Sequence, residues 1–189
     1  ENGTARFWNA DVTVKGDLIA AFRKIENAFG KIDVLVNNPG FLGSLKEHYE
    51  FLFEDPDEIL PTNYMGILCI KYVLPFMKKH KSGSIINISP LFTLLSHEGL
   101  PSYSASKETV RLTTKTYSFL LRGQGIRVNS IHPGMIWTSL VNEYISNENK
   151  KNKDAEYFKQ SDIIKNSGNP NDIAYGIIYF ASDESKFVT

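Results

Sequence analysis

Ser84-Ile85-Ile86-Asn87-Ile88 is a five-residue run in which three residues are β-branched and no polar/apolar alternation is seen. Such a run reads as a strand covered on both faces, the signature of a parallel sheet. Two further runs share the pattern: Ile32-Asp33-Val34-Leu35-Val36 before it and Ile126-Arg127-Val128-Asn129-Ser130-Ile131 after it. Between them lie helical patterns. Residues from about Asp57 to His80 carry Ile59, Met65, Leu68, Tyr72 and Phe76, with Pro61 and Pro75 expected to shift or kink the helix. Residues 103–122 form the next helix, closed by Gly123. Upstream, Ala5 to Asn9 reads as a short strand, and Leu18, Phe22, Ile25 and Phe29 recur at helical spacing until Gly30 stops them. Downstream, Asn169 and Pro170 are an N-cap and first-turn pair for a helix through about Ala181. Strands separated by helices of this length predict a doubly wound α/β domain, a parallel sheet with helices on both faces.

The bulk numbers agree with one soluble globular domain. The chain has 189 residues, 42% hydrophobic and 22% charged, with 21 basic and 21 acidic side chains. A chain of this size buries roughly 70% of its unfolded surface. The balanced charge points to neither a nucleic-acid nor an anionic membrane partner. No apolar stretch approaches the ~20 residues of a membrane span. The single cysteine, Cys69, lies in the apolar run from Gly66 to Lys71 and reads as a buried small side chain. It cannot form an internal disulfide, which makes the reducing cytoplasm the expected compartment. His48, His80 and His97 show no metal-ligand spacing, so no metal site is expected. The segment from about Ile145 to Ser167, rich in Asn, Lys and Glu, reads as a mobile loop or short surface helix. The amino terminus lacks an initiating methionine and a signal-like apolar core, and is expected to be a truncation point.

In open α/β sheets a ligand lies off the carboxyl ends of the strands. The residues that follow the strands here are Asp11-Val12-Thr13, Asn37-Asn38-Pro39-Gly40, Ser89-Pro90, and His132-Pro133-Gly134-Met135-Ile136-Trp137-Thr138. The helix after Pro90 opens with Tyr103 and Lys107, one turn apart on one face. A phenol with a pKa near ~10 is a weak acid or base at neutral pH, and a neighbouring ammonium lowers that value. Such a tyrosine can give a proton to a carbonyl or take one from an alcohol. Taken alone, a Tyr and a Lys four residues apart are weak evidence, and a solvated helix face is the commoner source of such a pair.

The ordered set resembles the short-chain dehydrogenase/reductase family, and the resemblance runs the length of the chain. Asp11-Val12 is similar to its adenine-contacting pair, Asn37-Asn38-x-Gly40 to its Asn-Asn-Ala-Gly motif, and Asn63 to its structural and catalytic asparagine. Tyr103 and Lys107 match its Tyr-x-x-x-Lys pair, and Arg127-Val128-Asn129 with Pro133-Gly134 its next strand and cofactor loop. The tail, Pro170 to Thr189, is similar to the secondary-alcohol and hydroxysteroid dehydrogenase branches. The resemblance implies a Rossmann-like domain over residues 1–189, with 133–168 as a substrate and cofactor loop, and NAD or NADP as cofactor.

It further implies that Tyr103 is the general acid/base, that Lys107 lowers its pKa and holds the nicotinamide ribose, and that Asn63 positions Lys107 through a water. Asp11, Val12, Asn38, Gly40, Pro133 and Gly134 fall to the cofactor, with Ile136 and Thr138 at the carboxamide. Leu91, with Phe92, Leu94 and Leu95, and the loop residues Trp137, Leu140, Val141 and Tyr144 would line an apolar pocket for a small hydrophobic alcohol or ketone. Family subunits pair through the helices carrying Asn63 and Tyr103, which implies a homodimer or homotetramer at full length. Each residue keeps a purely structural reading: Asn63 at the Pro61 kink, Asp11 as a helix cap, Thr138 as a loop hydroxyl, and the apolar residues as loop packing. His132 reads as a packing or turn residue rather than a catalyst.

Three departures bear on the chemistry. No Gly-rich strand-turn-helix for the pyrophosphate is present, so the first β-α-β-α unit of the family is expected to be missing, and Phe187-Val188-Thr189 stands where the last strand begins. Pro90 stands thirteen residues before Tyr103, where the family has its catalytic serine. Ser89 is one step away and points to the other side of an extended chain. Pro39 replaces the usual alanine and removes a backbone N–H beside Asn38. The expected activity is secondary alcohol/ketone interconversion by hydride transfer, with no measurable turnover from this chain alone. The alternative is a non-catalytic relative that acts as a binding or oligomerisation module.

Overall fold

The described residues of the computed structural model are 3–38, 56–89, 101–139 and 167–189, with 56–65 and 101–107 described by backbone alone. Their elements run α1 (Lys15–Phe29), β1 (Val34–Asn37), α2 (Pro56–His80), β2 (Gly83–Ile88), α3 (Pro101–Leu120), β3 (Ile126–Ile131), α4 (Pro170–Ala181) and a 3-10 turn (Asp183–Ser185). The strands form one parallel sheet in the order β1-β2-β3, with Asn37 opposite Asn87 and Asn87 opposite Ser130. Parallel neighbours need a crossover, and α2 and α3 supply the two.

The two faces of the sheet can be told apart by where the side chains of β2 and β3 go. Asn87 donates to Thr114 of α3, and Ile85 and Val128 join Ile70, Val73 and Met77 of α2 in the main core. On the other face Ser84 Oγ donates to the Phe180 carbonyl at 2.7 Å and Arg127 donates to the same oxygen at 2.8 Å. Both reach the end of α4. Thus α1, α2 and α3 cover one face while α4 lies on the other, as a doubly wound sheet requires. Asn169 caps α4 by accepting from the Asn171 N–H, and the Asp172 carboxylate accepts from the Asn169 N–H, closing a capping box.

Several expectations are corrected. Ala5 to Asn9 is not a strand. A strand exists only where a neighbour takes its hydrogen bonds, and no described strand pairs with this run; Trp8 and Arg6 instead pack on the ring of Phe29. β1 begins at Val34 rather than Ile32 and is not covered on both faces, since Val36 is 39% exposed. The reason is position: α4 covers β2 and β3, which leaves that side of β1 open. The helix expected from about Asp57 starts at Pro56 and runs to His80 through both prolines, a continuity that a kink at either one allows. Pro75 is exposed, so the Lys71 carbonyl that loses its partner sits on the solvent side. Among the described side chains of α2 the fully buried ones are Ile70, Val73 and Met77, whereas Leu68, Tyr72 and Phe76 are half-buried, with Phe76 packed on Phe22 of α1. The third helix spans Pro101–Leu120 rather than 103–122, because a proline in the first turn lacks only an N–H that has no helical partner. The tail at Val188 and Thr189 forms no strand, yet it docks on β3 through Asn129 to the Val188 carbonyl at 2.9 Å and Val128 N–H to Thr189 Oγ1 at 3.1 Å. No described helix is long and apolar enough to cross a membrane.

Candidate active site

Helices that connect parallel strands run antiparallel to them, so the amino ends of α1, α2 and α3 rise at the carboxyl edge of the sheet. That edge gathers the expected residues. Asn38 follows β1 and is exposed. Asn63 lies in the first half of α2 and Tyr103 and Lys107 in the first two turns of α3. Pro133, Gly134, Ile136, Trp137 and Thr138 follow β3. Asp11 and Val12 are exposed in the turn ahead of α1. Gly40, Leu91, Leu140 and Tyr144, with Pro39, Pro90, Phe92, Leu94, Leu95 and Val141, lie outside the described residues. So does the Ile145–Ser167 segment, apart from Ser167 itself.

Asp11 does not cap α1. Its carboxylate accepts from the Thr13 N–H at 2.8 Å, an Asx turn that ends before Val14, the residue at the helix cap. The Thr13 hydroxyl and N–H hold this carboxyl below the usual carboxylate range. After β3, Ser130 Oγ and His132 Nε2 lie 2.9 Å apart, a local contact in keeping with a turn role for His132. The loop that follows is closed at its base: Ile136 bridges Gly168 in parallel, Trp137 N–H donates to the Gly168 carbonyl at 2.8 Å, and Gly168 N–H donates to the Met135 carbonyl at 2.9 Å. On α3, Arg111 pairs with Glu108 and holds its carboxyl below the ordinary value. Burial pushes the Cys69 thiol up to about 11, so it is not a nucleophile at neutral pH.

Ser89 bears on the missing serine. It is 0% exposed at the end of β2, and its N–H donates to the Ile131 carbonyl at 3.0 Å. A side chain sealed in this way does not present its hydroxyl to a ligand at the edge of the sheet.

Asn37, already placed in the Asn-Asn-x-Gly motif, and two polar residues given no role from the sequence, Asn87 and Thr114, tie this edge together. Asn37 Nδ2 donates to the Gly66 carbonyl of α2 at 3.1 Å and to Asn87 Oδ1 at 2.8 Å. Asn87 Nδ2 donates to Thr114 Oγ1 at 2.9 Å, and Thr114 donates to the Val110 carbonyl at 2.8 Å. All three are buried. A signal was present, because an asparagine in the middle of Ser84-Ile-Ile-Asn-Ile88 must find a partner once that strand is covered.

The pattern of the enoyl-(acyl carrier protein) reductase family matches residues 1–189. The chain is 34% identical over 185 residues to a 3-oxoacyl-(acyl-carrier-protein) reductase of Thermotoga maritima, covering 95% of this chain and 70% of that protein. It is 31% identical over 189 residues to a cyclopentanol dehydrogenase of a Comamonas strain, covering 100% of this chain and 74% of the relative. In structure it resembles ElxO with NADP bound, with a TM-score of 0.83 and 29% identity, covering 97% of this chain and 73% of ElxO. The chain belongs to the short-chain dehydrogenase/reductase family of NAD(P)-dependent oxidoreductases.

Proposed function

We propose that these residues belong to an enzyme that interconverts a small hydrophobic secondary alcohol and its ketone with NAD or NADP, with no measurable turnover from residues 1–189 alone. The observation that carries this reading is the placement of Tyr103 and Lys107, one turn apart on α3, at the sheet edge shared with Asn38, Asn63 and the residues after β3. The names of the two relatives support it: a 3-oxoacyl group is a ketone and cyclopentanol a secondary alcohol, so both act across the same redox pair.

The residues present fit the adenosine and nicotinamide ends of a dinucleotide, while the Gly-rich unit that would hold its pyrophosphate is not among them. Asp11 and Asn38 are exposed polar groups on that edge, and a Cβ at Gly134 would meet nothing within 4 Å, which leaves backbone open to a ligand. Asp11, Val12, Asn38 and Gly40 would hold the adenosine side, and Pro133, Gly134, Ile136 and Thr138 the nicotinamide side. When bound, the nicotinamide supplies or takes the hydride. Tyr103 passes the proton to or from the substrate oxygen. Lys107 favours its phenolate and holds the ribose, and Asn63 positions Lys107 through a water. Leu91, Trp137, Leu140 and Tyr144 exclude water over the reacting carbon. In this reading residues 1–189 are one dinucleotide-binding domain with 133–168 as its substrate loop, working in the cytoplasm and pairing as a homodimer or homotetramer.

Pro90 lowers the rate. Losing one positioned donor to a developing oxyanion costs on the order of 10²–10³ in turnover. Pro90 and the sealed Ser89 favour, as a second reading, a family-derived binding module without turnover. Oxidation of NADH and NADPH with cyclopentanone, measured with a relative's Gly-rich strand-turn-helix unit fused ahead of these residues, separates the two. Pro90→Ser is expected to raise turnover by about 10²-fold or more, and Tyr103→Phe in that background to abolish it. A Pro90→Ser protein that binds NADPH but gives no turnover above its Tyr103→Phe form would favour the binding module.

A further inference from the structure

The buried chain Asn37–Asn87–Thr114 links β1, α2, β2 and α3 by hydrogen bonds whose directions are fixed. The Thr114 hydroxyl proton is committed to the Val110 carbonyl, so its oxygen must accept from Asn87 Nδ2. That turns Asn87 Oδ1 toward Asn37, whose amide divides its two protons between Asn87 and the Gly66 carbonyl. No link can be reversed without breaking another.

The chain meets each helix on the face that matters. At about 100° per residue, positions 103, 107, 110, 114 and 117 fall within about 40° of Tyr103 around the axis of α3. Thr114, which Asn87 grips, is therefore in phase with Tyr103 and Lys107. On α2 the buried stripe Gly66, Ile70, Val73 and Met77 is spaced three and four, and one step of three toward the amino end reaches Asn63. Gly66, whose carbonyl Asn37 grips, lies on it. Apolar contacts between helix and sheet are non-directional and tolerate small rotations and slides. Hydrogen bonds at 2.8–3.1 Å do not.

We infer that Asn37, Asn87 and Thr114 are positioning residues: they set the rotation of α3 and the height of α2 against the sheet, and so bring Tyr103, Lys107 and Asn63 into one constellation. This rests on the Tyr103–Lys107 pair proposed above.

The test reads Tyr103 directly and needs neither cofactor nor turnover. The chain is labelled with 3-fluorotyrosine, the Tyr103 resonance among the nine tyrosines is assigned by its loss in Tyr103→Phe, and its midpoint is followed against pH by fluorine NMR. Thr114→Val removes the acceptor for Asn87 at nearly equal volume and is expected to raise the midpoint by about half a pH unit or more, as the ammonium moves off the phenol. Thr114→Ser keeps the oxygen and restores it. Thr116→Val is the control, since Thr116 makes the same bond to a carbonyl four residues back, that of Leu112, but does not reach the chain. If Thr114→Val shifts the midpoint no more than Thr116→Val while Lys107→Met does shift it, the positioning inference is overturned and the pair stands. If Lys107→Met leaves the midpoint unmoved, the pair itself fails and the inference falls with it. Should Thr114→Val not fold, Thr114→Ser and Asn87→Asp are compared in the same way.

Discussion

Gly123 and Gly125 sit two residues apart before β3, both at positive φ, 79° and 74°, yet their surroundings differ sharply. A Cβ on Gly123 would meet nothing within 4 Å, whereas one on Gly125 would lie 2.0 Å from the Lys81 carbonyl oxygen and 2.8 Å from its carbon. The Gly125 carbonyl also accepts the Gly83 N–H at 3.1 Å, the contact from which β2 and β3 run in register. Alanine at either site pays the left-handed conformation, about 1–2 kcal/mol. At position 125 the backbone must also part from Lys81 and give up that hydrogen bond, which brings the expected loss to about 4 kcal/mol or more. Urea unfolding of Gly123→Ala and Gly125→Ala, followed by circular dichroism, should place Gly125→Ala at least about 2 kcal/mol below its neighbour with a similar slope. A protein at the lower end of the usual range of about 5–15 kcal/mol survives the first change and is left marginal by the second. Equal midpoints for the two variants would refute the steric reasoning.

Two further outcomes follow from single contacts. Asp172→Ala removes the carboxylate half of the capping box on α4 and should cost about 1 kcal/mol in urea unfolding, with Asp172→Asn intermediate. Asp11 has its carboxyl depressed by Thr13, so the stability it contributes is present above the unfolded value near 3.8 and is lost as pH falls through the lower folded value. Thr13→Val should therefore move the Asp11 midpoint up toward 3.8, seen by carboxyl carbon NMR, and an unchanged midpoint would remove the Thr13 hydroxyl as a cause.

The parts of the fold that were legible carry their cause within a few residues. β2 and β3 are short β-branched runs, and Asn169-Pro170 writes the start of α4 into two adjacent side chains. The Ala5–Asn9 run has the local composition of a strand, but pairing depends on a partner elsewhere, and composition does not report it. One-sided burial of β1 depends likewise on how far α4 reaches. At the site, the shared phase of Tyr103 and Lys107 follows from helix geometry alone. The Asn37–Asn87–Thr114 chain does not, because its partners are 50 and 27 residues apart in sequence and meet only once the sheet has formed.

The bridge between Ile136 and Gly168 has a consequence for how this protein can change. Ile136 and Gly168 form one clasp, where Gly168 packs against Ile136 and Asp172 so closely that a Cβ would come within 3.0 and 3.1 Å of them. A segment whose two ends are already joined can be lengthened, shortened or exchanged with little effect on closure entropy, which grows only with the logarithm of length. The clasp makes the insert a cassette: with a relative's segment grafted between Ile136 and Gly168, the sheet, the three helices on its one face and α4 on the other should fold as before, and under the substrate-loop role proposed above the graft carries that relative's substrate preference with it.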